Sequence, residues 1–316
     1  MKDLKILFSK YAIYFVLVFE IIFFSLASQY FLSATNFVNI LRQVSIVGIM
    51  AVGMTFVILT GGVDLSVGGV TACVGVICAK LMVSGWNPLL AVLVSLGFTA
   101  LVGCVNAFFS HEFRLNPMIV TLATLQILKG ISYIVTGAIP VYGFTEEFKK
   151  IGQGHIGQIP IPIIIMVILY LAAYVVLKYT KFGQSIYGIG GNEEAVRLTG
   201  IDIRKSKYGA YILCSVVSGI AGIVLLSRAN TAQPSAGFGY EMDVIAGAVL
   251  GGISMSGGEG KITGVFAGVL VMAILSNGML MMDVSEYWQW VTKGIVMLAA
   301  ITYDRVLKIG RASCRE

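Results

Sequence analysis

The 316-residue chain is 57% hydrophobic and only 12% charged, with a mean hydropathy of +0.89. A soluble domain carries roughly 25% charged residues, so this composition excludes one and describes an integral membrane protein. The formal charge of +6 is not a nucleic-acid signal, because basic residues in a membrane protein mark its cytoplasmic side.

The apolar segments approach the ~20 residues of a spanning helix rather than the ~10-residue alternating strands of a barrel. The expected fold is therefore all-α and polytopic, and the 37 glycines suit close helix packing and broken helices. Ten spans are predicted at about 11–31, 44–60, 65–83, 89–109, 118–137, 161–179, 208–227, 243–253, 262–280 and 287–303. The eighth is short and broken by glycine. The first lacks a small-residue cleavage site and reads as a retained span. With all ten crossing and the N-terminus inside, the lysines and arginines concentrate on the cytoplasmic side, which places both termini and the 180–207 stretch there. One membrane domain, 1–309, is expected. The tail 310–316, GRASCRE, does not continue the pattern and reads as disordered or appended.

Five cysteines show no metal-ligand spacing, and four sit in apolar runs as small hydrophobes. With two histidines, no metal site is expected. No nucleophile–base set and no GxxxxGK[ST] loop occur, so no enzyme and no ATP site are expected in this chain.

The polar island 180–207 interrupts the membrane pattern. Asn192 can cap a helix, and Glu193 and Glu194 follow where the positive end of the helix dipole favours them. Glu193 and Arg197 are four apart in the favourable order, Ala195 lies between them, and Gly200 supplies a stop. The resulting helix of about two turns is too short to stand alone in water and needs a surface to dock against, unless it is an ordinary loop helix.

The string TGGVDLSVGG, 60–69, is the second polar break. Gly61, Gly62, Asp64, Ser66 and Gly68 either line a pathway or gate, where broken backbone is tolerated, or form a turn in which Asp64 caps the next helix. A similar string, GGISMSGG, begins with Gly251 and Gly252. Aligned on the GG pair, the two share both glycines, a β-branched residue, a serine and a final glycine, a hint of a duplicated device. Glu20, Lys129 and Lys293 fall inside predicted spans. Such charges mark function or hold helices together, and Lys129, the deepest, joins the pathway candidates. Tyr287, Trp288 and Trp290 read as an interfacial belt. The 228–243 segment is a connecting loop or an outer docking surface.

Five blocks resemble one family in order and spacing: 36–69, 116–130, 180–201, 237–264 and 277–304. They look like the permeases of ribose-type ABC importers over nearly the whole chain. The resemblance implies an inner-membrane, ten-span permease that works as a homo- or heterodimer. It implies coupling to a cytoplasmic ABC ATPase, which uses ATP and magnesium, and receipt of a monosaccharide from an extracytoplasmic substrate-binding protein. The string Glu194-Ala195-Val196-Arg197-Leu198-Thr199-Gly200 is similar to the importer coupling motif, with Val196 in place of its second alanine. Asn192, Glu193, Glu194, Ala195, Arg197 and Gly200 would then form the coupling helix. Nucleoside, autoinducer or branched-chain amino acid cargo is the alternative within the class. An ion-coupled secondary transporter is the alternative outside it.

Overall fold

The computed structural model describes the backbone of residues 2–313 and the side chains of residues 13–302. Twelve helices account for most of the described chain: α1 Lys2–Ala27, α2 Ala34–Leu59, α3 Val67–Val83, α4 Pro88–His111, α5 Pro117–Thr136, α6 Glu146–Gln153, α7 Ile161–Tyr179, α8 Lys181–Leu198, α9 Ile203–Ala229, α10 Tyr240–Leu250, α11 Ile262–Met281 and α12 Glu286–Ser313. A two-residue hairpin, β1 His155–Ile156 with β2 Ile159–Pro160, joins α6 to α7. The fold is all-α, as expected, with two helices that the span pattern did not contain. α6 is short and amphipathic, with Phe148 buried beneath Glu146 and Lys149. α8 is the helix of the polar island. Of the tail, residues 310–313 continue the backbone of α12, and residues 314–316 lie outside the described residues.

Among the described residues, six helices are long and apolar enough to cross a membrane: α2, α4, α5, α7, α9 and α11. α3 and the Ile13–Ala27 part of α1 are shorter apolar helices. The bundle is built around α2, whose most apolar window is 78% buried, against 28% for both α4 and α7. Composition explains the difference in part. Gly48 and Gly53 on α2 lie where a Cβ would meet the Met166 sulfur of α7 and the Cys214 backbone of α9, each at 2.7 Å. Small residues let helices approach closely without help from water exclusion, which is absent in lipid. α9 repeats the device, since a Cβ on Gly222 would strike Thr71 and Val74 of α3.

Chain direction orders the two ends of the bundle. α2 finishes at Leu59, whose carbonyl accepts from Gly258 N at 2.9 Å, beside Gly190 of α8. The beginning of α2 therefore lies at the end opposite α8. α9 leaves the α8 end at Ile203 and delivers Arg228 to the far end. α11 likewise starts near Gly258 and carries Asn277 to the far end, where Asn36 and Asn277 exchange amide hydrogen bonds of 2.9 and 3.0 Å.

Candidate functional site

The polar island folds as an elbow. Thr180 starts α8 by accepting from Gly183 N at 3.1 Å. The helix then breaks at Asn192, whose φ of −160° and ψ of 98° are not helical. Its Oδ1 accepts from Ala195 N at 3.0 Å, so Asn192 caps a second short segment, 193–198. Gly200, at φ +79°, ends it. The expected helix over 193–199 exists, but a longer first segment, 181–191, leads into it.

One pairing differs from expectation. Arg197 does not reach Glu193; it pairs with Glu194 at 3.4 Å, one turn back at spacing i,i+3. Glu193 is instead drawn across the elbow to Lys207 of α9, at 2.7 Å. Lys207 is a long side chain held on a neighbouring helix, and linear spacing cannot show it as the nearer cation. Glu193 thus ties the elbow to α9, and Glu194 and Arg197 remain on the open side. Val196 turns inward and packs with Ile189 and Ile203, and Gly188 leaves the room it needs, since a Cβ there would meet Val196 at 2.8 Å. Ala195 is exposed, as is Leu198, at 90%.

Besides these side-chain contacts, the elbow rests directly on backbone. A Cβ on Gly190 would sit 1.9 Å from the Leu59 carbonyl oxygen and 2.3 Å from Gly258 N. A Cβ on Gly257 would meet Gly61 N at 2.7 Å and the Gly190 Cα at 2.9 Å, and one on Gly258 would meet Gly191 N at 2.6 Å. Three glycine strings, around 61, 190 and 257, therefore meet at one point. At this point the backbone of the elbow lies directly against the end of α2 and the α10–α11 loop.

The two strings seen as similar are the same structural device. At the end of α2, Gly61 N donates to Ile58 O and Gly62 N to Val57 O. At the end of α10, Gly252 N donates to Val249 O and Ile253 N to Ala248 O. Both are Schellman caps with a left-handed glycine, Gly61 at φ +82° and Gly252 at φ +85°. The structural equivalence pairs Gly61 with Gly252, one residue out of step with alignment on the GG pairs. Hydrogen-bond register, not letter identity, sets it.

Asp64 is fully buried. Its Oδ1 accepts from Ser66 N and Ser66 Oγ, Asn106 Nδ2 of α4 donates to Ser66 Oγ at 2.9 Å, and Thr124 Oγ1 of α5 donates to Asn106 Oδ1 at 2.7 Å. Asn106 and Thr124 were missed at the sequence level; each is one of several polar residues scattered along a largely apolar helix. The signal available was that such residues need partners. Asp64 does not cap α3 in the expected manner: Ser66 is the N-cap, and it makes no side-chain cap bond. The chain of bonds ties the α2–α3 break to α4 and α5.

The glycines of this group serve close approach. A Cβ on Gly62 would meet the Tyr211 hydroxyl at 2.6 Å, one on Gly68 the Glu241 carboxylate at 2.2 Å, and one on Gly251 the Gly264 backbone at 2.6 Å. Lys129 stands apart, exposed on α5 with its ammonium 5.1 Å from the centre of the Phe238 ring. Lys293 pairs with Asp243 at 2.8 Å, joining α12 to α10. Trp288 and Trp290 are exposed at the start of α12.

The model of the family described as branched-chain amino acid transport system / permease component matches residues 36–301. The chain is 41% identical over 287 residues to the ribose import permease protein RbsC of Bacillus subtilis (strain 168), covering 90% of this chain and 89% of that one. Identity to RbsC of Escherichia coli (strain K12) is 42% over 284 residues, covering 89% and 88%. With the L-arabinose transport system permease protein AraH of Escherichia coli (strain K12) it is 36% over 292 residues, covering 92% and 89%. No solved structure matches the chain. A multi-pass helical bundle matched over most of its length by one family model, and closely similar to ribose-type permeases, belongs to that family of transport-system permeases.

Proposed function

We propose that this chain is the membrane-spanning permease of an ATP-driven importer that moves a monosaccharide, of the ribose, xylose or galactose kind or a similar small polar solute, into the cytoplasm. The observation that carries the reading is the elbow: a capped two-turn helix with Glu194, Ala195, Arg197 and Leu198 facing outward and glycine backbone seated on α2 and the α10–α11 loop. In this reading the outer face docks on a separate cytoplasmic ATPase, which supplies the ATP and magnesium chemistry; the chain itself binds no cofactor and is not an enzyme. Movement of the ATPase is passed by rigid contact to the central helix α2 and, through the covalent joints of the elbow, to α7 and α9. Gly61, Gly62, Asp64, Ser66, Gly68, Gly251 and Gly252 would belong to the gate as the close-packed joints that hold it, with Asp64 bracing α2–α3 against α4 and α5.

The assembly is a single 1–309 membrane domain crossing ten times, termini inside, paired with a second permease chain and fed by an extracytoplasmic binding protein. Sugar is favoured over a branched-chain amino acid, nucleoside or autoinducer because the relatives compared above carry sugar names. The test is uptake into proteoliposomes holding the chain with its cognate ATPase and binding protein, using radiolabelled D-ribose, D-allose, L-arabinose and L-leucine. ATP-dependent accumulation of a monosaccharide is expected. Accumulation of leucine alone would overturn the cargo. Uptake that runs without the ATPase on an ion gradient would overturn the class.

A further inference from the structure

One basic cluster at the elbow end takes no part in the glycine contacts described above. A cavity of about 400 Å³ lies where the end of α7, the first segment of α8 and the start of α11 meet. Tyr174 and Lys178 of α7, Tyr187 of α8, and Lys261 and Thr263 at the start of α11 line it. Its walls are held in place. Tyr187 Oη donates to the Gly260 carbonyl at 2.9 Å, which ties α8 to the α10–α11 loop. Lys178 Nζ donates to Tyr174 Oη at 2.7 Å and stands 5.1 Å from the ring centres of both Tyr174 and Tyr179.

The cations at this end fall into two sets. Arg197, Arg204, Lys205 and Lys207 each pair with a carboxylate. Lys178 and Lys261 have none within salt-bridge distance among the described residues, and exposed Glu259, two positions before Lys261, reaches neither. Two like charges therefore border one cavity with no counter-ion from the chain. The N–H groups of Ile262 and Thr263 also lack a partner among the described residues, and the start of α11 adds the positive end of its dipole to the same wall. This arrangement selects an anion with several acceptor oxygens, as phosphate has.

The neighbouring surface of α7 is apolar. Ile168, Leu171 and Val175 are 58%, 60% and 50% exposed. With Lys178 they follow at i, i+3, i+7 and i+10, on one face of the helix. In a bilayer such a face meets acyl chains, and tyrosine rings like those of Tyr174 and Tyr179 sit at headgroup depth. A free phosphate would use the lysines alone, whereas an anionic phospholipid uses the lysines and the stripe together. We infer that this cavity is a site for the phosphate headgroup of an anionic phospholipid of the phosphatidylglycerol class, in the leaflet on the elbow side. Lys178 and Lys261 contact the phosphate, and the α7 stripe carries an acyl chain. Basic pockets between membrane helices recognise such headgroups. A lipid seated here touches α7, α8 and the start of α11 at once, beside the joint that the elbow glycines close.

The test is native mass spectrometry of the delipidated full chain, titrated in detergent with dioleoyl phosphatidylglycerol or dioleoyl phosphatidylcholine, with a melting curve to check the fold of each variant. Phosphatidylglycerol should bind more tightly than phosphatidylcholine. Lys178→Gln and Lys261→Gln should each weaken it about fivefold, the weight of one basic residue at an anionic surface, and Lys178→Arg, which keeps the charge, should retain it. Lys205→Gln removes the same charge at the same end, from a lysine already paired with Asp202, and should bind as wild type does. Wild-type affinity in both cavity variants overturns the site. An equal loss in all three glutamine variants also overturns it, as a general charge effect. Equal affinity for the two lipids overturns the anionic headgroup. Inorganic phosphate that binds through the same two lysines while phosphatidylglycerol does not bind overturns the lipid in favour of a soluble anion. Binding is read without transport, so its failure leaves the import function standing.

Discussion

Ser66 makes three of the four bonds in the buried chain from Asp64 to Thr124 run through or beside it. Its hydroxyl donates to Asp64 and accepts from Asn106, and its N–H donates to the same carboxylate oxygen. Ser66→Ala keeps the backbone bond and removes both hydroxyl bonds, leaving a buried amide donor unsatisfied, at a cost of about 1–3 kcal/mol. A lowered melting temperature in detergent is expected, with a smaller effect for Thr124→Val, which cuts only the far end of the chain. An unchanged melting temperature for Ser66→Ala would show that the network does not hold the α2–α3 break. Asp64 was legible as a costly charge that must find a partner. Its partners were not, because Asn106 and Thr124 lie about 40 and 60 residues away in sequence and only helix packing brings them together.

The elbow was the most legible element, since caps and stops are local chemistry. Asn192 and Gly200 do what their types allow. What local chemistry cannot give is the leading segment 181–191, where Gly183, Gly188, Gly190 and Gly191 lower helix propensity by roughly 1 kcal/mol each and tertiary contact overrides it. Asn192→Ala should cost about 1 kcal/mol of cap and speed amide exchange at residues 194–198, while α9 stays protected. Unchanged exchange would mean that docking on α2, not the cap, sets the helix. The next cap has a pH signature. Asp202 accepts from Lys205 N at 3.0 Å, and this backbone bond, with the Lys205 ammonium, holds its carboxyl below the usual range. A lowered folded-state value means the stabilisation is present above the ordinary aspartate pKa and is lost as pH falls through the lowered one. The protection factor of the Lys205 amide should therefore fall only in acid, and Asp202→Asn should remove that pH dependence of protection.

For the whole molecule, composition read the class, and hydropathy found apolar helices, six of them long enough to cross a membrane among the described residues against ten expected spans, but not their arrangement. α2, the central helix, has a peak hydropathy of 1.8, below the 2.3 of α4 and 2.4 of α7 at the periphery. Lipid is as apolar as a protein core, so apolarity does not identify the helix that is inside; the glycines that admit neighbours do. Orientation came from lysine and arginine, and it predicts sidedness. Lys205 has an 86% exposed side chain beside the elbow, and Ser84 is exposed at the far end of α3. An impermeant maleimide should reach Lys205→Cys only in inside-out vesicles and Ser84→Cys only in right-side-out ones. The reverse pattern would invert the topology. Ser206, a residue away, is buried and would report packing instead.

The proposed coupling passes through the glycine contact that joins the elbow to α2. Gly190 has no room for a methyl group between Leu59 O and Gly258 N, whereas a Cβ on neighbouring Gly191 meets nothing within 4 Å. The direct measurement is sugar uptake per ATP hydrolysed in proteoliposomes holding the complete transporter, comparing Gly190→Ala with Gly191→Ala at equal permease content. Coupling through this contact predicts that Gly190→Ala lowers the ratio roughly tenfold or more, the effect of about 1.4 kcal/mol of lost coupling, while Gly191→Ala stays near wild type. A wild-type ratio for Gly190→Ala would contradict it.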